Sequence, residues 1–410
     1  MPVSRRTFLH AAALLSPAAV AALGAPSPKI SGTKIARIRF YESPISRPMF
    51  NQSFHIVTVE NDQGLIGVGE GGSVDTIRDC AELLIGEDPS RIDHCWQLMF
   101  RGRFYPAGRE KLDAMGAIDL ALWDLKGKAL GVPVYEMLGG KSRAHVECYA
   151  TGFPAPGDVK EKARACIAAG FRAFRTSVVD PNKNAPGFNS HHAVRDSFEH
   201  CQQIREGVGP RGDWMIDYHT RLDFPDAVRL STLLEPLEPF FCEDLVRSEN
   251  PGVYRTLRGM VKVPVAVGEQ FGARWEYNEL IENHLIDYSR VTVPNCGGIT
   301  EFLKHAALCE THYVGLAPHF TGPVAEAALV HVCAAFSGPV IMEMVNGGQN
   351  PLPGYLPKAY DFRDGKMWPN DRPGLGVEFD ATKLKLTAEF TKTGPGRNTF
   401  QRPDGSLTNW

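Results

Sequence analysis

Between Lys34 and Phe40, and again between Phe54 and Glu60, apolar and polar residues alternate along the chain. Successive side chains of a strand point to opposite faces, so this alternation predicts half-buried antiparallel strands. Asn61-Asp-Gln-Gly64 reads as a turn, and Leu65-Ile-Gly-Val-Gly-Glu70 as the returning strand. From Leu112 to Leu130 the period changes: Met115, Ile118, Leu122 and Leu125 recur at the three-to-four spacing of a buried helix face, and Gly131-Val-Pro133 stops it. Residues 30–140 therefore read as an α+β domain with no catalytic cluster of its own. From His145 short apolar runs alternate with helical stretches. Strands are predicted at 146–152, 171–178, 213–219, 240–244, 264–269, 288–293, 313–319 and 340–345, enough for one eight-stranded β/α barrel over residues 141–345. The tail, 346–410, is rich in Pro and Gly with little periodicity. It predicts an extended segment packing back on the first domain.

Within the barrel pattern one acidic series stands out. Asp217, Glu243 and Glu269 lie 26 residues apart, twice running, each closing a short apolar run. That interval holds one strand and one helix, and catalytic groups of a β/α barrel sit at the C-terminal ends of its strands. Carboxylates converging there repel one another unless a cation holds them. An oxygen-only set suits Mg²⁺.

Composition sets few further limits. With 43% hydrophobic and 22% charged residues and a formal net charge of −3, the chain has an ordinary globular make-up, and nothing points to nucleic acid as a partner. Its first residues are different. Ser4-Arg5-Arg6-Thr7-Phe8-Leu9, an alanine-rich stretch from Ala11 to Leu23 and the small residues Gly24 and Ala25 form an export signal of twin-arginine type over residues 1–26. A periplasmic protein with no membrane attachment after signal removal is the expectation. The nine cysteines show no paired spacing and several lie in apolar runs, so they read as buried free thiols.

Two histidines join the acids. His219 is two residues beyond Asp217, which on a continuing strand would put both side chains on one face. From there it can protonate a substrate oxygen. His319 ends the seventh strand in Leu316-Ala-Pro-His-Phe320, across the barrel mouth, where it can act as a base. Glu343 ends the eighth strand; it either polarises a substrate oxyanion or forms a salt bridge. Arg175 and Ser177 finish the second strand, and Arg175 either binds a substrate carboxylate or neutralises the acidic mouth. A cation flanked by two histidines suits removal of the weakly acidic proton beside a carboxylate, followed by loss of a β-hydroxyl.

At these residues the chain resembles the mandelate racemase group of the enolase superfamily, whose sites use Lys or His bases with Mg²⁺ on an ene-diolate. Gly116-Ala-Ile-Asp-Leu-Ala-Leu-Trp-Asp-Leu-Lys-Gly-Lys-Ala-Leu-Gly131 is similar to the family's capping-domain helix, and Cys296-Gly-Gly-Ile-Thr300 to the turn after barrel strand six. Asp217-Tyr-His-Thr-Arg221 and Ala317-Pro-His-Phe-Thr-Gly-Pro323 are most similar to the sugar-acid dehydratase branch. The resemblance implies a modified TIM barrel of (β/α)7β type under an α+β capping domain, and a homo-oligomer. It implies Asp217, Glu243 and Glu269 as Mg²⁺ ligands, His219 as acid, His319 as base and Glu343 as enolate partner. The implied reaction is dehydration of a sugar acid to a 2-keto-3-deoxy acid. It also implies specificity from capping loops at Arg47–Ser53 and Phe100–Arg109, with Arg103 and Tyr105 among the residues meeting substrate. Two positions depart from the pattern: strand two ends Arg175-Thr176-Ser177 where a lysine base is usual, and Thr292 stands where an aspartate normally orients the strand-seven histidine. An epimerase or a cycloisomerase is the alternative among enzymes, with Arg175 speaking against the epimerase, and Thr292 keeps a non-catalytic sugar-acid-binding protein open.

Overall fold

The computed structural model describes residues 30–44, 54–180, 187–394 and 400–408. Residues 1–26, read above as an export signal, and residues 47–53, expected to shape specificity, fall outside those residues. No helix among the described residues is long and apolar enough to cross a membrane.

The first strands are β1 (Ile35–Glu42), β2 (Ile56–Asn61) and β3 (Ile66–Glu70), an antiparallel meander. Helices α1 (Val74–Leu84), α2 (Ile92–Arg101) and α3 (Arg109–Leu130) follow, sharing a buried core with the sheet. The glycines of β3 explain how closely α3 can approach. A Cβ on Gly67 would lie 1.9 Å from the Ala121 carbonyl oxygen, and one on Gly69 1.8 Å from that of Ala117. Gly67 and Gly69 lie on one strand face, Ala117 and Ala121 on one helix row, so two small-residue periods mesh. Helix α3 ends at Gly131 in the left-handed conformation (φ 71°), as the Gly-Val-Pro stop predicts.

Among the described residues eight parallel strands then alternate with seven α-helices. They are β4 (Val146–Thr151), β5 (Ala173–Ser177), β6 (Asp213–Asp217), β7 (Phe241–Glu243), β8 (Val265–Val267), β9 (Tyr288–Ser289), β10 (Gly315–Leu316) and β11 (Met342–Val345). Neighbours pair in chain order. The barrel closes because β11 pairs with β4 and Leu316 bridges to Val340. The intervening helices are α4 (Val159–Ala168), α5 (Ser190–Val208), α6 (Phe224–Leu234), α7 (Val253–Arg258), α8 (Asn278–Glu282), α9 (Ile299–Thr311) and α10 (Pro323–Ala335). The eighth strand runs into a single 3₁₀ turn, Asn346–Gly348, and among the described residues no α-helix follows it, which gives the (β/α)7β form. All nine cysteines are buried and unpaired.

The tail carries more structure than its composition predicts. Strands β12 (Asp361–Arg363) and β13 (Lys366–Trp368) form a hairpin on the β4 edge, and β14 (Lys385–Phe390) pairs antiparallel with β1. Leu386, Ala388 and Phe390 alternate with polar residues in β14, a period hidden by the surrounding Pro and Gly.

Buried acids on α3 fasten these parts together. Asp119 accepts the Thr300 backbone N–H at 3.0 Å and its hydroxyl at 2.5 Å, holding the first turn of α9. Asp124 accepts Val68 N–H at 2.9 Å and Leu375 N–H at 2.8 Å. At Gly116 the helix backs directly onto the loop after β9, where a Cβ would sit 2.2 Å from the Pro294 carbonyl oxygen.

Candidate active site

The inward face of the barrel is built in two layers by strand alternation. Tyr149, Ala173, Met215, Phe241, Ala266, Ala317 and Ile341 fill the lower layer. Two residues further along their strands, on the same face, stand Thr151, Arg175, Asp217, Glu243, His319 and Glu343. An apolar floor thus lies directly beneath a charged layer at the C-terminal mouth.

Two guanidiniums cross that charged layer. Arg175 donates to Asp217 Oδ2 at 2.6 Å and to Glu343 Oε1 at 2.7 Å, and its Nε lies 2.9 Å from Glu243 Oε2. Arg290, with no exposed surface, donates to Glu243 Oε1 and Glu343 Oε2, each at 2.7 Å, and also to Tyr149 Oη and the Ala317 carbonyl. Its second terminal nitrogen is 3.5 Å from Glu269 Oε2. Arg175 thus takes the neutralising place among the acids. Buried ion pairs of this kind need such hydrogen bonding to offset their desolvation.

Titration behaviour divides the acids. Burial tends to raise every buried carboxyl. For Glu343 the opposing pull of Arg290, Arg175 and His319 wins, holding it well below the usual range. For Glu269 the same three groups, His319 foremost, overcome burial and bring it down to about 2. Burial wins for Glu243 despite both arginines, and for Asp244, where Glu269 and Asp217 add to it; both are pushed well above the usual range. Glu343 is therefore an ionised anchor for two guanidiniums, the salt-bridge alternative of its sequence reading.

Glu243, Asp244 and Glu269 bring one carboxylate oxygen each within 4.8 Å of one another. Asp217 instead turns Oδ2 to Arg175 and accepts the His219 backbone N–H on Oδ1 at 2.6 Å. Asp244, directly after β7 with φ 45°, was not singled out in the sequence; its signal is adjacency to Glu243 at a strand end. The 2.9 Å approach of Arg175 Nε to Glu243 Oε2 lacks hydrogen-bond alignment, so this buried oxygen has no directed donor. An all-oxygen donor set with one undirected buried oxygen fits a hard divalent cation.

The two histidines flank one carboxylate. His319 Nε2 is 3.5 Å from Glu269 Oε2, and His219 Nε2 is 3.7 Å from Glu269 Oε1. The same-face geometry expected of Asp217 and His219 does not hold, because β6 ends at Asp217 and both His219 and Thr220 adopt positive φ (48° and 57°). His219 reaches Glu269 by this turn, with its side chain half exposed, whereas His319 is buried. Burial, reinforced by Arg290 and Arg175, outweighs Glu269 and Glu343 and lowers the His319 pKa. Thr292 Oγ1 lies 3.3 Å from His319 Nδ1, so the threonine does contact the ring.

Other predicted residues sit elsewhere. Ser177 is at the exposed rim of β5. Arg103 is held inside the capping domain by Asp79 at 2.7 Å and Glu82 at 3.4 Å, and Tyr105 is 79% exposed. Neither meets the charged layer. Arg290 is the residue missed. An arginine inside the run Tyr288-Ser-Arg-Val-Thr-Val293, two before Thr292 and so on its face, was the available signal.

Two family descriptions match this chain: "Mandelate racemase / muconate lactonizing enzyme, N-terminal domain" over residues 43–139 and "Enolase C-terminal domain-like" over residues 158–383. The chain belongs to the enolase superfamily. Among curated relatives, a D-galactonate dehydratase from Xanthomonas oryzae pv. oryzae is 36% identical over 369 residues, 86% of this chain and 95% of that protein. Another from Pectobacterium atrosepticum is 33% identical over 401 residues, 92% of this chain and all of that one. An enolase-superfamily crystal structure from Salmonella Typhimurium superposes with a TM-score of 0.79 at 26% identity, covering 87% of this chain and 99% of that one. This member of the superfamily is an enzyme, a carbon–oxygen lyase of the kind that dehydrates sugar acids, and its superfamily binds a divalent metal.

Proposed function

We propose that the enzyme removes the proton α to the carboxylate of a sugar acid and expels the β-hydroxyl as water, giving a 2-keto-3-deoxy acid. The observation that carries this reading is the pair of imidazoles on opposite oxygens of Glu269, one buried and one half exposed. His319, neutral because its pKa is lowered, takes the α-proton on Nε2. His219 gives a proton to the departing hydroxyl and is restored from solvent, to which it is open. Mg²⁺ bound by Glu243 and Glu269 with Asp217 or Asp244 would supply countercharge to the substrate carboxylate and the enediolate. Arg290 and Arg175 fix the position of Glu343. Arg175 is a poor candidate for a second base, since its partners hold it protonated, and this disfavours an epimerase. The twin-arginine-type start further supports action outside the cytoplasm.

The test is a panel of sugar acids in D₂O with Mg²⁺ and with EDTA, read for 2-keto product and α-deuterium. Metal-dependent keto acid from one stereochemical class is the expected result. Exchange without elimination would instead indicate an epimerase, and neither signal with any acid would overturn the lyase reading. His319→Asn should abolish exchange, whereas His219→Asn should retain exchange and lose most elimination, by 100-fold or more on the order of general acid–base contributions.

A further inference from the structure

The barrel has a second recess, at the end away from the charged layer, where a cavity of about 350 Å³ opens. Its walls come from the starts of the strands. Arg172 directly precedes β5, Phe240 precedes β7, Tyr288 opens β9 and Ile341 precedes β11. Ile341 belongs to the apolar lower layer of the barrel, and Phe240 and Tyr288 pack against that layer. The same layer therefore separates this recess from the reacting groups.

The lining combines an aromatic corner with fixed charges. Phe240 and Tyr288 meet with ring centroids 5.0 Å apart and planes inclined by 33°, and Pro339 and Val340 extend the apolar wall. Three charged side chains stand around it. Arg172 is answered by Asp213 at 2.6 Å, and Glu147 lies 2.9 Å from His145 and 3.9 Å from Lys366. Arg143 differs. Its Nη2 donates to the carbonyls of Phe336 at 2.6 Å and Gly338 at 2.7 Å, just past α10, and its Nε is buried without a partner. Among the described residues no carboxylate pairs with it. The backbone thus fixes where this guanidinium stands while its charge is left unanswered, and a charge-assisted bond to an anion is the interaction it lacks. Largely apolar cavities of this size with a few fixed polar groups are what small molecules occupy. An apolar cavity of about 150 Å³ already admits a benzene-sized guest, so this one has room for two fused rings bearing a carboxylate.

We infer that this end of the barrel binds a small organic monoanion with an aromatic or alicyclic body, its carboxylate on Arg143 and its rings against Phe240 and Tyr288. Glu147 in the wall disfavours a second negative charge, and the aromatic corner offers nothing to a chain of hydroxyls. Neither a dicarboxylic sugar acid nor the product of the proposed dehydration therefore matches the recess. The site stands apart from that reaction and does not depend on it.

Ligand-observed NMR titration of the full chain with 2-naphthoate, in EDTA and again in Mg²⁺, tests the site. A Kd on the order of 1 mM or tighter is expected for a ligand of this size, the same in both buffers because no metal takes part. 2-Naphthalenemethanol keeps the rings and loses the charge, so it should bind about tenfold more weakly or worse, and Arg143→Met should weaken 2-naphthoate by a similar factor. Glu147→Gln should tighten 2-naphthoate by roughly twofold or more, a gain that damage to the fold cannot imitate. No binding of 2-naphthoate in EDTA overturns the inference. Binding that appears only with Mg²⁺ overturns it too, by placing the ligand at the opposite mouth, as does equal binding of the alcohol. An affinity that neither substitution changes puts the ligand elsewhere and likewise overturns it.

Discussion

Replacing Arg290 by methionine removes one charge from a layer that has none to spare. The side chain is fully buried and is hydrogen-bonded at 2.7 Å to both Glu243 and Glu343. Methionine keeps most of the volume, so the loss isolates the charge and its bonds from packing. Breaking a buried pair by deleting one partner costs about 3–5 kcal/mol, because the other charge stays behind unpaired. For a chain of this size that corresponds to a melting temperature lower by about 4–6 °C. The assay is thermal and urea unfolding in EDTA, where no bound cation can substitute for the missing guanidinium. Glu343→Gln in the same background should recover a large part of the loss, since a neutral amide needs no countercharge; the coupling should be about 1.5 kcal/mol or more. A loss below about 1 kcal/mol for Arg290→Met, or strictly additive effects of the two substitutions, would refute the view that Arg290 and Glu343 stabilise each other as buried ions.

Three further outcomes follow from the same geometry. Saturating Mg²⁺, at about a hundred times its Kd, should stabilise the protein by about 2.7 kcal/mol; scanning calorimetry should show that gain removed by Glu243→Gln, and an unaltered gain would discount Glu243 as a ligand. Gly116→Ala should destabilise by about 1–3 kcal/mol by overpacking, since its Cβ would meet the Pro294 carbonyl oxygen at 2.2 Å; a neutral alanine in urea unfolding would mean that the loop after β9 yields freely. His305, wholly buried beside Ser289 and Cys309, has its pKa lowered to about 3 by desolvation. The unfolded chain binds that proton near pH 6.5 and the folded one does not, so stability falls as pH drops from about 6.5 toward 3, by about 1.4 kcal/mol at pH 5.5. His305→Asn should lower stability at neutral pH yet shrink the difference between pH 7.5 and pH 5.5, and an unchanged difference in the unfolding curves would sink the assignment.

What could be read in the chain was whatever recurs with a period. The eight barrel strands announced themselves as apolar runs because a strand covered on both faces must be apolar throughout. The 26-residue acidic series was legible for the same reason. Residues placed by tertiary meeting were not. Arg290 is a charge inside a strand, and its meaning depends on Glu243 and Glu343 arriving from strands β7 and β11. His219 reaches Glu269 through two consecutive positive-φ residues that no strand period foretells. Arg103, by contrast, lay in a loop near the expected mouth, yet Asp79 on α1 was near enough to take it. The alternation of β14 went unread because its partner, β1, is some 350 residues earlier in the chain.

Glu70, at the end of β3, accepts the backbone N–H of Val324 at 2.8 Å and of Ala325 at 3.2 Å. These are orphan donors in the first turn of α10, the helix that leads away from His319. A carboxylate from the first domain thereby finishes a helix of the second. Gly322 leaves it room, since a Cβ there would lie 2.5 Å from the Glu70 carboxyl carbon. The two domains are consequently not interchangeable modules. A barrel paired with a foreign cap would lose the anchor of the segment that carries His319 unless the graft also brought a carboxylate to that point, so a recombination partner can be screened for that one residue before any chimera is made.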